Sequence, residues 1–156
     1  MKKLIIGADG SGYELKEAVK AYLNEAGISY DDVGAQSLED SVPYYTTACR
    51  AAKGISEGSY EKGLLFCGTG MGMSIIANKH KGIYASVVES VYAAEKCRAI
   101  NNSNILCMGG FIVGSEMAIE MVKTFLKTEF TENMGGFKDF LKQAYADIQN
   151  MENELF

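Results

Sequence analysis

Five short apolar runs alternate with helical stripes along this chain, and that rhythm leaves few folds open. Lys3–Ala8 reads as a strand and runs into the turn Asp9-Gly10-Ser11-Gly12. Tyr13–Ala26 places Leu15, Ala18, Val19, Tyr22 and Leu23 on one helical face and stops at Gly27. Ile28–Val33 is a second strand, and Pro43 opens a helix to about Ile55. A third strand, Leu64-Leu65-Phe66, ends at Cys67, and a helix follows the glycine turn after it. Gly82–Val88 is the fourth strand, with Ser90 as a cap for the helix Val91–Ala99. Ile105–Met108 is the fifth, followed by helices at Gly114–Thr128 and from Phe137 to about Met151. Strand–helix alternation with short connections predicts an α/β, three-layer, doubly wound (Rossmann-like) sandwich on a five-stranded parallel sheet. Right-handed crossovers gather the strand C-terminal ends on one edge, where such sheets bind ligands. Asp9, Cys67 and the Asn101–Asn104 segment are expected at or near that edge.

The chain has 156 residues, enough for one core, and 47% of them are hydrophobic. We expect a single domain over 1–150 and a short acidic tail over 151–156 that frays. The formal charge of −5 and the lack of a basic run argue against a nucleic-acid partner. Four cysteines, Cys49, Cys67, Cys97 and Cys107, have no CxxC spacing and no clustering with histidine. They read as reduced thiols of a cytoplasmic protein with no metal site, and Cys49, Cys97 and Cys107 as small core residues. No apolar stretch is long enough to span a membrane. The single histidine, His80, lies in a polar turn and is expected to be solvated.

The segment Cys67-Gly68-Thr69-Gly70-Met71-Gly72 carries the chemistry. A glycine turn between a strand and a helix offers unpaired amides, and a helix start favours negative charge. A thiol at such a place has its thiolate form favoured. Spacing alone leaves a second reading open, in which Cys67 is a buried strand end and the glycines only make a tight turn.

IIGADGSGYELK, CGTGMGMSIIANKHKGIYAS and NNSNILCMGGFIVG together resemble the family of ribose-5-phosphate isomerase B and the galactose-6-phosphate isomerase subunits, over nearly the whole length. The resemblance implies aldose–ketose isomerisation of a sugar or sugar phosphate without metal or organic cofactor. It implies a homodimer or tetramer with active sites at the interface, and a C-terminal helix used in dimerisation. It implies Cys67 as base with Thr69 beside it. Gly68, Gly70, Met71 and Gly72 would cradle the enediolate, and Asp9, Gly10 and Asn101 would bind the sugar. Several positions depart from the family. Gly10 and Ile100 stand where histidines are usual, the second being the family's ring-opening group. Phe111, Phe137 and Leu141 stand where arginines are usual, and Tyr44-Tyr45 follows Pro43 without the usual acid. Lys138 and Lys142 could replace the arginines as point charges. Arg98 is expected to be structural or at an interface. Proton-abstraction parts survive, while ring-opening and phosphate-binding parts do not. An isomerase acting on a substrate other than ribose 5-phosphate is the reading preferred. A catalytically incomplete paralogue or subunit, or a small-ligand-binding protein, stays open.

Overall fold

The computed structural model describes residues 3–40 and 42–156. Its elements, in order, are β1 (Leu4–Ala8), α1 (Tyr13–Glu25), β2 (Tyr30–Asp32), α2 (Tyr44–Ser56), β3 (Gly63–Cys67), α3 (Met71–Ala77), β4 (Ala85–Val87), α4 (Val91–Asn101), β5 (Ile105–Gly109), α5 (Ser115–Lys127) and α6 (Lys138–Leu155). All five strands are parallel, in the order β2-β1-β3-β5-β4. The three central strands, β1, β3 and β5, are buried at every residue, as parallel strands covered on both faces must be.

Period-two alternation sorts the strand side chains into two cores. Ile6, Leu64, Phe66, Leu106 and Met108 pack with α1, α4 and α5. Ile5, Leu65, Cys67, Ile105 and Cys107 pack with α2 and α3 on the opposite face. The chain winds outward from β1 toward β2 and from β3 toward β4. The C-terminal ends of β1 and β3 therefore flank a switch point, where a doubly wound sheet opens a crevice.

Four expectations need correction. First, Gly82–Tyr84 is not strand: Gly82 has φ +77°, and the Asn104 side chain bonds Gly82 O at 2.7 Å and Tyr84 N at 2.9 Å, replacing ladder bonds. Second, residues 151–155 do not fray but continue α6, and Glu152 accepts from Gly82 N and from Tyr84 Oη at 3.0 Å. Burial and then the Glu152 contact push the Tyr84 phenol well up. Third, Cys49 is exposed on α2 rather than in the core. Its sulfur lies 3.5 Å from Nε2 of His80, whose Nδ1 faces the Ile76 and Ala77 carbonyls at 3.2 and 3.3 Å. Fourth, His80 is thus half-buried and partnered, not free in solvent. Cys97 and Cys107 are buried as expected, and burial pushes both thiols up. The expected cap at Ser90 is present: its Oγ accepts from Ala93 N at 3.0 Å. No helix among the described residues is long and apolar enough to cross a membrane.

Candidate active site

Three strand ends converge at the crevice, and glycine is what lets them meet. A Cβ on Gly12 would lie 2.3 Å from the carbonyl of Phe66, and one on Gly110 would lie 2.5 Å from Ser11 O. A Cβ on Gly109 would lie 2.6 Å from Thr69 Cα. Each near neighbour is backbone, so no rotamer change can make room. Gly109→Ala is therefore expected to destabilise the fold by about 1–3 kcal/mol. Pushing the Thr69 backbone aside is also expected to lower turnover by about 10²-fold, the usual cost of a misplacement near 1 Å. Denaturant unfolding and kcat check both; an unchanged kcat would show that the loop position is not critical.

The loop after β3 is tied to β5 beyond the last ladder pair. Gly110 N donates to Cys67 O at 2.8 Å, and Phe111 N donates to Gly68 O at 2.9 Å. Cys67 is only 5% exposed, on the α2/α3 side of the sheet. Its sulfur accepts the Gly70 N–H at 3.1 Å. Such a contact is stronger when the acceptor is charged. Gly70 sits at φ +78°, a conformation glycine adopts without strain, and this turns its amide back onto the sulfur. Thr69 Oγ1 accepts from Met71 N at 3.3 Å. Met71 is exposed, whereas Met73 is fully buried beneath the loop.

Asp9 stands across the switch point at the end of β1, its Oδ1 accepting from Gly12 N at 3.0 Å. Gly10 beside it is exposed, with open space where a Cβ would stand. The segment after β2 packs against this turn, with Ala35 N donating to Ala8 O at 2.8 Å. Fully buried Lys16 braces that segment. Its ammonium pairs with Asp32 at 2.6 Å and donates to the Ala35 carbonyl.

Aromatic rings form the walls. The Phe111 ring lies over Gly68, where a Cβ would come within 2.6 Å of it. The Tyr44 ring lies over Gly72 at 2.7 Å by the same measure. The sequence marks Tyr44 only as a departure from the family's usual acid, not as a wall of the site. The available signal was its place at the start of α2, which enters from the strand C-terminal edge.

The crevice therefore brings together Asp9, Gly10, Cys67, Gly68, Thr69, Gly70, Met71 and Gly72. It does not bring in Asn101, contrary to the expectation for the Asn101–Asn104 segment. Those residues precede β5, and Asn104 O accepts from Gly63 N at 2.9 Å, at the start of β3. Cys67 is at the other end of β3, about 13 Å from Gly63 at the usual rise per residue. Asn101 is exposed there, bordering a small apolar cavity with Ile100, Phe140, Leu141 and Ile148. Exposed Phe137, Phe140 and Met151 continue that apolar surface along α6.

Comparison with known proteins agrees with this architecture. Residues 4–138 match the Ribose/Galactose Isomerase family. The chain is 48% identical to a 4-deoxy-4-sulfo-D-erythrose isomerase from Clostridium sp. (strain MSTE9), covering 99% of this chain and 98% of that one. It is 39% identical to D-erythrulose-4-phosphate isomerase 2 of Mycolicibacterium smegmatis, covering 82% and 86% of the two chains. The solved structure of Clostridium thermocellum ribose-5-phosphate isomerase B superposes with a TM-score of 0.89, at 34% identity, covering 99% of each chain.

Proposed function

The chain belongs to the ribose/galactose isomerase family and is an aldose–ketose isomerase; from that premise we propose that Cys67 is its base and that its substrate is a short, open-chain sugar ending in an anionic group. The observation that carries the first part is the Gly70 amide aimed at the Cys67 sulfur from 3.1 Å. The thiolate removes the proton on C2 of the aldose, and the electron pair moves through C1 onto the carbonyl oxygen to give an enediolate. Loop amides stabilise the charge that develops on oxygen. The thiol then returns the proton to C1, while the C2 hydroxyl passes its own proton to the oxygen on C1, leaving a ketone at C2 and a hydroxyl at C1. Thr69 and Asp9 hold the hydroxyls.

The chemistry of the relatives' substrates supports the second part. A four-carbon aldose whose C4 carries a sulfonate or a phosphate has no free C4 hydroxyl to close a five-membered ring. Its remaining hydroxyls would give only strained smaller rings, so it stays open in water. Such a substrate needs no ring-opening acid, which accounts for Gly10 and Ile100 in place of two histidines.

The placement of Asn101 and Cys67 at opposite edges of the sheet supports a site completed by a second copy of the chain. In this reading the apolar surface of α6 and Phe140 seats the neighbour and brings its Asn101 to Cys67. Complementation tests this. Cys67→Ala and Asn101→Ala chains, each nearly inactive alone, are co-expressed so that they mix. In a dimer with shared sites, statistical mixing makes about a quarter of the sites intact, and that share of activity returns. No recovery in mixed dimers would mean that no site combines Cys67 of one chain with Asn101 of the other, and would overturn the arrangement.

A further inference from the structure

The sheet edge opposite Cys67 holds a polar cavity of about 220 Å³ that the isomerase reaction leaves unused. Two of its walls are cations that the fold buries: Lys62 and Arg98 are each 5% exposed. Lys62 immediately precedes β3, Arg98 lies on the last turn of α4, and Tyr145 of α6 closes the side. Among the described residues, neither cation makes an ion pair with a carboxylate. Glu61 on the rim and Glu129 act on both through the field alone.

The donors are under-used. The Lys62 ammonium carries three N–H bonds. Its one hydrogen-bond partner among the described residues is the Leu126 carbonyl, at a long 3.5 Å. Arg98 is engaged on one side, with Nε on Thr128 O at 3.3 Å and Nη1 on Asn102 Oδ1 and Ser103 O at 3.0 and 2.7 Å. Its Nη2 has no partner among the described residues. The bond to Asn102 Oδ1 also fixes the Asn102 side chain so that its NH₂ is left over. A buried charge without a direct ion-pair partner is costly, and two like charges at one cavity compound the cost, which Glu61 in the lining and Glu129 offset only through the field. Burial, followed by the field of Arg98, holds the Lys62 ammonium below the usual lysine range.

We propose that this cavity is a binding site for a small tetrahedral oxyanion, held between Lys62 Nζ and the free edge of the Arg98 guanidinium, with the Asn102 amide as a further donor. The ligand chemistry is a sulfate or phosphate, either as the free ion or as the end group of a small sulfonate or phosphate ester. The cavity admits an ion of that size, and guanidinium together with ammonium is the donor pair such an anion takes. Within one chain the site is separate from the catalytic crevice by the whole length of β3.

Thermal unfolding in sodium sulfate and in sodium chloride at matched ionic strength tests it, alongside calorimetric titration with inorganic sulfate and with ethanesulfonate. Wild type is expected to gain at least about 3 °C in Tm from sulfate through linkage. Lys62→Met is expected to unfold at higher temperature than wild type in chloride, to lose the sulfate-specific gain, and to bind sulfate at least tenfold more weakly. Lys62→Arg is expected to keep the gain, and Cys67→Ala to keep it in full, since the catalytic crevice is elsewhere. Binding of both probes identifies an end group, and binding of inorganic sulfate alone identifies the free ion. Equal sulfate gains in wild type and Lys62→Met would show only the general salting effect and overturn the proposal. Should Lys62→Met fail to fold, crystals of wild type grown with selenate decide: density between Lys62 and Arg98 supports the site, and its absence overturns it.

Discussion

Replacing Cys67 with alanine is expected to lower kcat by about 10²–10⁴-fold, the range that a positioned acid–base group contributes. The fold should survive, because the change removes one sulfur at a strand end whose backbone bonds to Gly110 N and to the β5 ladder are untouched. Far-ultraviolet circular dichroism and the unfolding midpoint check the second point. Substrate-driven exchange of the C2 proton into deuterated water checks the first, since it reports proton abstraction independently of product release. A variant that still exchanges at the wild-type rate would assign the base elsewhere. Thiol labelling gives a supporting measurement only with a precaution. Cys49 is exposed and beside His80, so it will compete for reagent regardless of catalysis. The informative quantity is protection of Cys67 by substrate in a Cys49→Ser background.

The second large effect concerns substrate choice. Four-carbon sugars with a terminal sulfonate or phosphate are expected to exceed ribose 5-phosphate in kcat/KM by about 10³-fold or more. One loss sets that ratio: ring opening without an acid–base group forfeits about 10²–10⁴-fold. The absent arginine contacts, each a charge-assisted hydrogen bond of about 1.5–3 kcal/mol, weaken the anionic ends of both substrates alike. The Phe111 ring over Gly68 puts an apolar wall where the family usually has a cationic fork. Steady-state rates on both substrates with the purified protein alone decide the matter. Efficient turnover of ribose 5-phosphate would show that other residues replace the missing groups.

The fold was legible because its signals are local. Buried runs such as Leu64–Phe66, the helical stripe from Leu15 to Leu23, and the glycines at 68, 70 and 72 each declare themselves within a few residues. The glycine loop after β3 was legible for the same reason. Asn101 was misplaced for a reason the alternation itself contains. A segment that leads from a helix into the next strand belongs to the N-terminal edge of the sheet, so Asn101–Asn104 could not share an edge with Cys67. The remaining misses depend on contacts between distant positions. Cys49 meets His80 across 31 residues. Lys62 is buried by α4 and α6, whose packing a polar pre-strand segment does not announce. Phe111 and Tyr44 become walls only because Gly68 and Gly72 lack the atoms that would push the rings away.

The bonds from Gly110 N to Cys67 O and from Phe111 N to Gly68 O have a consequence for how the enzyme handles its substrate over time. They extend the sheet past the ends of its strands, so the loop after β3, which we propose holds the base, shares the rigidity of the core and is not a moving flap. The entropy of placing sulfur and amides was lost when the chain folded, and none of it remains to be lost at each encounter with substrate. Any closing motion in the cycle must then come from the opposite wall of the crevice, which leaves the reacting carbon to be brought to a fixed thiol and not the reverse.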